Sequence, residues 1–156
     1  VTEALRHVSR DARDHVIQVA SQEDFLMARM DSRLILQVII NLVNNAVKYT
    51  PKGSYIWISW KRQGGFAAVE ISDDGSGILP QHRDKIFEMF YTADSPSGDS
   101  RRGMGLGLAL CRSIVQAHGG DISLKDRKPH GCIFTFTLPI EEVHLHDEST
   151  HSDRRR

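Results

Sequence analysis

Apolar residues repeat at two different periods along this chain, and the changes of period mark its elements. Ile35, Val38, Ile39, Leu42, Val43 and Ala46 recur three and four apart, which places them on one side of a helix. Asp31 is a good N-cap for that helix, which is predicted to run to about Tyr49, where Pro51 and Gly53 end it. From Tyr55 to Lys61 the period falls to two: Ile56 and Ile58 share one face, and Tyr55, Trp57 and Ser59 share the other. Gln63-Gly64-Gly65 then predicts a turn, and Phe66 to Ser72 a returning strand. His15 to Ala20 is β-branched and alternating, so it reads as a strand, and Phe25 to Met30 reads as a second, shorter one. Pro80 opens a short helix through Phe87, and a longer one is predicted from about Leu106 to Ala117, stopped by Gly119-Gly120. Asp121 to Lys125 and Cys132 to Leu138 form a last hairpin around Pro129-His130-Gly131. The sum is an α/β two-layer sandwich, with helices on one face of a mixed β-sheet.

The polar positions carry the chemistry. Gln37, Asn41, Asn45 and Lys48 are spaced four, four and three apart, so they stack along one stripe of the first long helix. Asparagine is a poor helix former, and Asn41, Asn44 and Asn45 together cost helix propensity. Either they hydrogen-bond neighbouring loops or they face a ligand. Asp73-Asp74-Gly75-Ser76-Gly77-Ile78 follows a strand, and taken alone it is an ordinary surface turn. Gly103-Met-Gly105-Leu-Gly107-Leu-Ala-Leu opens a helix, whose N-terminal amides favour phosphate. Its spacing is not the dinucleotide Gly-x-Gly-x-x-Gly, and no Gly-Lys-Ser/Thr sequence exists in the chain. Ile86-Phe87-Glu-Met-Phe90-Tyr91 lies between the last two stretches.

In this order, with the first three about thirty residues apart, these stretches resemble the N box and two glycine boxes of the GHKL (Bergerat) ATP-binding superfamily. The fourth resembles the F box of its histidine-kinase branch. The resemblance runs from about Val1 to Glu142. It implies ATP and Mg²⁺ as ligands, with Asn41 supplying a hard amide oxygen to the metal. Asn45 would meet phosphate or a metal-bound water, and Lys48 would offer the phosphates a point charge. Tyr49 would pack against the nucleotide, core packing being the alternative. Asp73, not Asp74, would read the adenine amino group, with Gly75, Gly77 and Ile78 forming the tight turn beside it. Gly103, Gly105, Leu106, Gly107 and Leu108 would hold phosphate. Arg101 and Arg102 either reach the phosphates or sit solvated.

The segment from about Tyr91 to Met104 resembles an ATP lid, and the low apolar content of Asp94 to Arg102 predicts mobility there. Phe87 and Phe90 would pack the lid's root to the core. Family members often place Arg or Lys where Thr92 stands. Gln37 stands where hydrolytic relatives carry a water-activating Glu, and an amide cannot act as that base.

The run from Arg102 to Gly120, with Lys128-Pro-His-Gly and Thr137-Leu-Pro139 after it, resembles the KdpD-like group of bacterial sensor histidine kinases. The implied reaction is transfer of the ATP γ-phosphate to a histidine on a dimerisation domain. None of the eight histidines has the acceptor context of His-Glu or His-Asp followed by Pro; His118 reads as a helix-end cap. Two rivals stay open: an anti-sigma-factor serine kinase of the same superfamily, and a nucleotide-binding module without catalysis.

Three regions are predicted. Residues 1–10 read as the end of a helix, with Ala4, Leu5 and Val8 on one face, linking to a dimerisation and phosphoacceptor domain. Residues 11–142 form the catalytic ATP-binding domain, and the polar residues 143–156 a flexible tail. His144, His146 and His151 in that stretch fit no regular metal site. Twenty basic and twenty acidic residues give no bulk charge to attract nucleic acid or a membrane surface. Cys111 and Cys132 sit in apolar segments and read as buried thiols. The resemblance further implies a response regulator as partner and a monomeric isolated domain. The intact protein would be a homodimer anchored in a membrane, with this domain cytoplasmic.

Overall fold

The computed structural model describes residues 1–8, 10–21, 23–89, 91 and 107–141. Helix α1 (Thr2–Arg6) leads into a 3-10 turn over Arg10–Asp14 and then strand β1 (Val16–Val19). Helix α2 (Ser32–Tyr49) follows, then β2 (Tyr55–Gln63), β3 (Phe66–Asp73) and the short α3 (Pro80–Arg83). Helix α4 (Gly107–Ala117), β4 (Ile122–Asp126) and β5 (Cys132–Pro139) complete the described chain. The sheet runs β1-β2-β3-β5-β4. β1 pairs with β2 in parallel, and the other pairings are antiparallel, so the sheet is mixed as expected.

Alternation decides which face is covered. Ile56, Ile58, Ile71, Phe134 and Phe136 point from the strands into the core, all at most 3% exposed. Across from them α2 buries Ile35, Val38, Ile39, Leu42, Val43, Ala46 and Val47, and α4 buries Cys111, Ile114 and Val115. Each large aliphatic buried this way contributes about 1.5–3 kcal/mol. The α2 cap is the predicted one: Asp31 Oδ1 accepts the N–H of Arg33 at 3.0 Å and of Leu34 at 3.2 Å.

Three expectations need correction. Phe25 to Met30 is not a strand, because only Ala28 bridges to Ile140, and Phe25 and Met27 are exposed. Phe25, Leu26, Ala28 and Met30 instead belong to a groove of about 550 Å³, lined also by Leu36, Trp60 and Val69 among others. The helix at Pro80 ends at Arg83; beyond it the backbone makes i→i+3 bonds, Lys85 N–H to His82 O and Glu88 N–H to Lys85 O. The first helix ends at Arg6, and the 3-10 turn takes over at Arg10. Ala4 of that helix is fully buried, with Leu5 and Val8 packed beside it.

Candidate nucleotide-binding site

Helices α2 and α4 lie side by side and antiparallel. The geometry follows from two links: Cys111 of α4 meets Val38 and Asn41 of α2, and His118 at the end of α4 meets Asp31 at the start of α2. His118 is more than the cap the sequence suggests. Its Nδ1 donates to the Ile114 carbonyl at 2.7 Å, and its Nε2 accepts the Asp31 N–H at 3.0 Å. One neutral tautomer satisfies both partners. Running the same antiparallel pairing the other way, at about 1.5 Å per residue, brings Gly107 level with positions 42 to 45 of α2. Gly107 stands exposed at that turn, and Leu108 packs against the core. The first described turn of α4 and the asparagine stripe of α2 therefore converge on one region.

Along the stripe, Asn41, Asn45 and Lys48 are half-buried. Gln37 Nε2 donates to Asn41 Oδ1 at 3.0 Å. The Asn41 side chain also hydrogen-bonds Cys111, whose thiol donates to the Val38 carbonyl at 3.8 Å. Burial pushes the Cys111 thiol up to about 11, so it stays protonated and inert. Lys48 Nζ lies 5.2 Å from the centre of the Tyr49 ring. Tyr49 itself is 54% exposed, which removes the core-packing alternative for it.

The other end of the site is built where β3 stops. Asp73 is 7% exposed and is the buried charged residue among those described. Its carboxylate accepts the N–H of Gly75 at 2.9 Å and also the N–H of Cys132. Burial nevertheless raises its pKa above the ordinary carboxyl value, outweighing those two bonds. Burial, together with the neighbouring Asp73 and Asp126 carboxylates, pushes the Cys132 thiol up to about 11. Asp74 is used differently: its Oδ1 accepts the Tyr55 N–H at 2.9 Å, and its own N–H donates to the Tyr55 carbonyl at 3.3 Å. Of two adjacent carboxylates, one closes the start of β2 and the other is held inside.

Backbone crowds this corner. A Cβ on Gly131, whose φ is +115°, would sit 1.9 Å from the Asp73 carbonyl oxygen. A Cβ on Gly75 would lie 2.8 Å from the Thr50 methyl and 2.9 Å from Asp73 Oδ1. His130 Nδ1 pairs with the Gly75 carbonyl at 3.1 Å. The Thr50 hydroxyl donates to the Ala46 carbonyl at 2.7 Å and pairs with His15 Nε2 at 2.8 Å, tying the end of α2 to the entry of β1. Gly77 has φ +80°, and Ile78 is half-buried against the core.

Sequence reasoning missed one brace. Arg83 hydrogen-bonds both the Ile78 carbonyl and Asp126, which ties the segment after Gly77 to the β4–β5 hairpin. Nothing in the local sequence signals a pair separated by 43 positions. Phe87 packs edge-on against Phe134, with ring centres 6.2 Å apart, as expected for a residue that anchors this segment to the core. Tyr91 hydrogen-bonds His82. Phe90, Thr92, Arg101, Arg102, Gly103, Gly105, Leu106 and the rest of 92–106 lie outside the described residues, as do residues 142–156. No described helix is long and apolar enough to cross a membrane.

Comparison with known proteins agrees with this geometry. Residues 30–142 match the family described as histidine kinase-, DNA gyrase B- and HSP90-like ATPases. The chain is 46% identical over 141 residues to the sensor protein KdpD of Clostridium acetobutylicum, covering 90% of this chain and 16% of that protein. It is 33% identical over 150 residues to the sensor-like histidine kinase SenX3 of Mycobacterium bovis, covering 95% of this chain and 36% of that one. The chain thus spans about a sixth and about a third of these two relatives. Among solved structures, the catalytic domain of histidine kinase ThkA superposes with a TM-score of 0.76 at 29% identity, covering 88% of this chain and 90% of that one. Full-length ShkA in complex with AMPPNP superposes with a TM-score of 0.76 at 25% identity, covering 89% of this chain and 29% of that one. This chain belongs to the histidine kinase-, DNA gyrase B- and HSP90-like ATPase family, as an ATP-binding catalytic domain of the sensor-histidine-kinase type.

Proposed function

We propose that this domain binds ATP with Mg²⁺ and passes its γ-phosphate to a histidine on a dimerisation domain of the same full-length protein. The observation that supports this best is the division of the site. A buried carboxylate, Asp73, marks one end, and the Asn41–Asn45–Lys48 stripe beside the first turn of α4 marks the other. A carboxylate at Asp73 accepts a hydrogen bond from the adenine amino group, which guanine lacks at that position. Asn41 fits a magnesium site of the shared kind. Its Oδ1 accepts one bond from Gln37 and has a second lone pair, and an amide oxygen is a hard ligand. The described residues hold no cluster of three His, Cys, Asp or Glu able to bind a metal alone, so nucleotide phosphates would supply most of the shell. The metal, when bound, neutralises charge on the transferring phosphoryl group. Asn45, Lys48 and the amides at Gly107 orient that group, as Arg101, Arg102, Gly103, Gly105 and Leu106 would on the lid side.

Gln37 spends its amide on Asn41 and has no proton-accepting carboxylate, which fits transfer to protein rather than to water. The partners proposed on this reading are the chain's own phosphoacceptor helices, a response regulator, and a second copy in a full-length homodimer. The domain would then lie on the cytoplasmic side of a membrane-anchored protein. The test is labelling with γ-labelled ATP. The isolated chain is expected to label itself negligibly, and adding the matching dimerisation helices should give acid-labile phosphohistidine on them. Acid-stable phosphoserine on another protein, or rapid ATP hydrolysis by the isolated domain, would overturn the reading.

A further inference from the structure

An asparagine amide has two ends of almost one shape, and only its oxygen can ligate a cation. Neighbours decide which end faces the pocket. Gln37 alone cannot decide it for Asn41. Reversing both amides would turn the bond from Gln37 Nε2 to Asn41 Oδ1 into an equally good bond the other way. Cys111 breaks that tie. It is 0% exposed on α4, and its thiol proton is directed at the Val38 carbonyl. The sulfur therefore presents only lone pairs to the Asn41 side chain that hydrogen-bonds it. A sulfur in that state accepts an N–H and gives nothing to an oxygen. Asn41 Nδ2 is drawn toward α4, and Oδ1 is turned away from it, toward Gln37.

We propose that Cys111 is a positioning residue that sets the Asn41 amide oxygen-outward and so tunes Mg²⁺-dependent nucleotide binding. The inference rests on the reading of Asn41 as the metal-facing residue. It is tested by calorimetry of ATP with Mg²⁺ and of ADP without metal, alongside thermal melting. Cys111→Val keeps the packing volume and removes the acceptor. Cys111→Ser keeps a donor and an acceptor.

Loss of one oriented hydrogen bond should weaken Mg·ATP binding by about three- to tenfold in Cys111→Val. Metal-free ADP should stay within about twofold, and Cys111→Ser should recover most of the Mg·ATP loss. In an Asn41→Ala background Cys111→Val should have no further effect. Unchanged Mg·ATP affinity in Cys111→Val, with the metal increment lost in Asn41→Ala, would overturn the role of Cys111 alone. An intact metal increment in Asn41→Ala would overturn the reading of Asn41, and the inference with it. Equal loss with and without metal, accompanied by a lower melting temperature, would show that the thiol serves packing only.

Discussion

At Asp73 the proposed nucleotide site is made of backbone; along α2 it is made of side chains. The Asp73 carboxylate is held by the N–H groups of Gly75 and Cys132; a side chain at Gly131 would run into the Asp73 main chain, and one at Gly75 would press on the Thr50 and Asp73 side chains. Asn41, Asn45 and Lys48 are half-buried, and the position of each end group depends on rotamers and on neighbours such as Gln37, Cys111 and Tyr49. A corner fixed by main chain is preorganised: it loses little freedom when a ligand arrives, and it tolerates little change. A helical stripe adjusts, and each of its members contributes separately. Substitutions at the two ends should therefore differ in kind as well as in size.

The largest effect is expected at Gly131. Gly131→Ala forces a methyl group into the Asp73 carbonyl at a positive φ, so either the hairpin or the end of β3 must move. A loss of about 3 kcal/mol or more in unfolding free energy is expected, read by denaturant titration, together with loss of nucleotide binding. A variant that melts and binds like the parent would show that the corner is not rigid, and the contrast with α2 would fall.

Asp73→Asn should separate binding from stability. The asparagine oxygen can still accept the N–H groups of Gly75 and Cys132, while the charge is gone. ATP affinity should drop by about 1–3 kcal/mol in calorimetry. The free protein should melt no lower than the parent at neutral pH, because burial of an ionised carboxylate is removed. The pH dependence follows with a definite sign. The folded pKa of Asp73 lies above its unfolded value, so its stabilising contribution is present below the unfolded value and is lost as pH rises through the folded one. In that same window the parent's ATP binding should weaken as pH falls and the carboxylate is protonated. Asp73→Asn should show neither dependence, and a parent-like pH profile in the variant would place the titrating group elsewhere.

The smallest effect is expected at Lys48. Its ammonium is half-exposed above Tyr49, so Lys48→Ala should cost about 0.5–1 kcal/mol of ATP affinity, fading as salt is raised. A salt-independent loss larger than that of Asp73→Asn would mean that the α2 end is the rigid one.

Legibility in the sequence followed the range of the interactions. Helix α2 could be read to the residue at its start because Asp31 caps amides two and three positions on, and its apolar spacing is periodic. Asp73 could be chosen over Asp74 only by resemblance; their different partners, Gly75 and Tyr55, appear once β2 and β3 are paired. Phe25 to Met30 was misleading because residues lining a groove can be as apolar as a strand without any ladder to join. The bonds His118–Asp31, Arg83–Asp126 and Asn41–Cys111 join distant segments and leave no local pattern. Both cysteines were legible as buried thiols, but their carboxylate and amide neighbours were not.

The floor beneath Asp73 bears on inhibitor escape. A competitive inhibitor that satisfies this carboxylate and stacks on the main chain around Gly75 and Gly131 meets atoms that every substitution shares. Resistance usually arises by growing or trimming a side chain at a contact, and Gly131 has no side chain and no room for one. Another route is Asp73 itself, whose loss should also weaken the natural ligand. Compounds anchored at this corner should therefore select fewer viable variants than compounds anchored along α2.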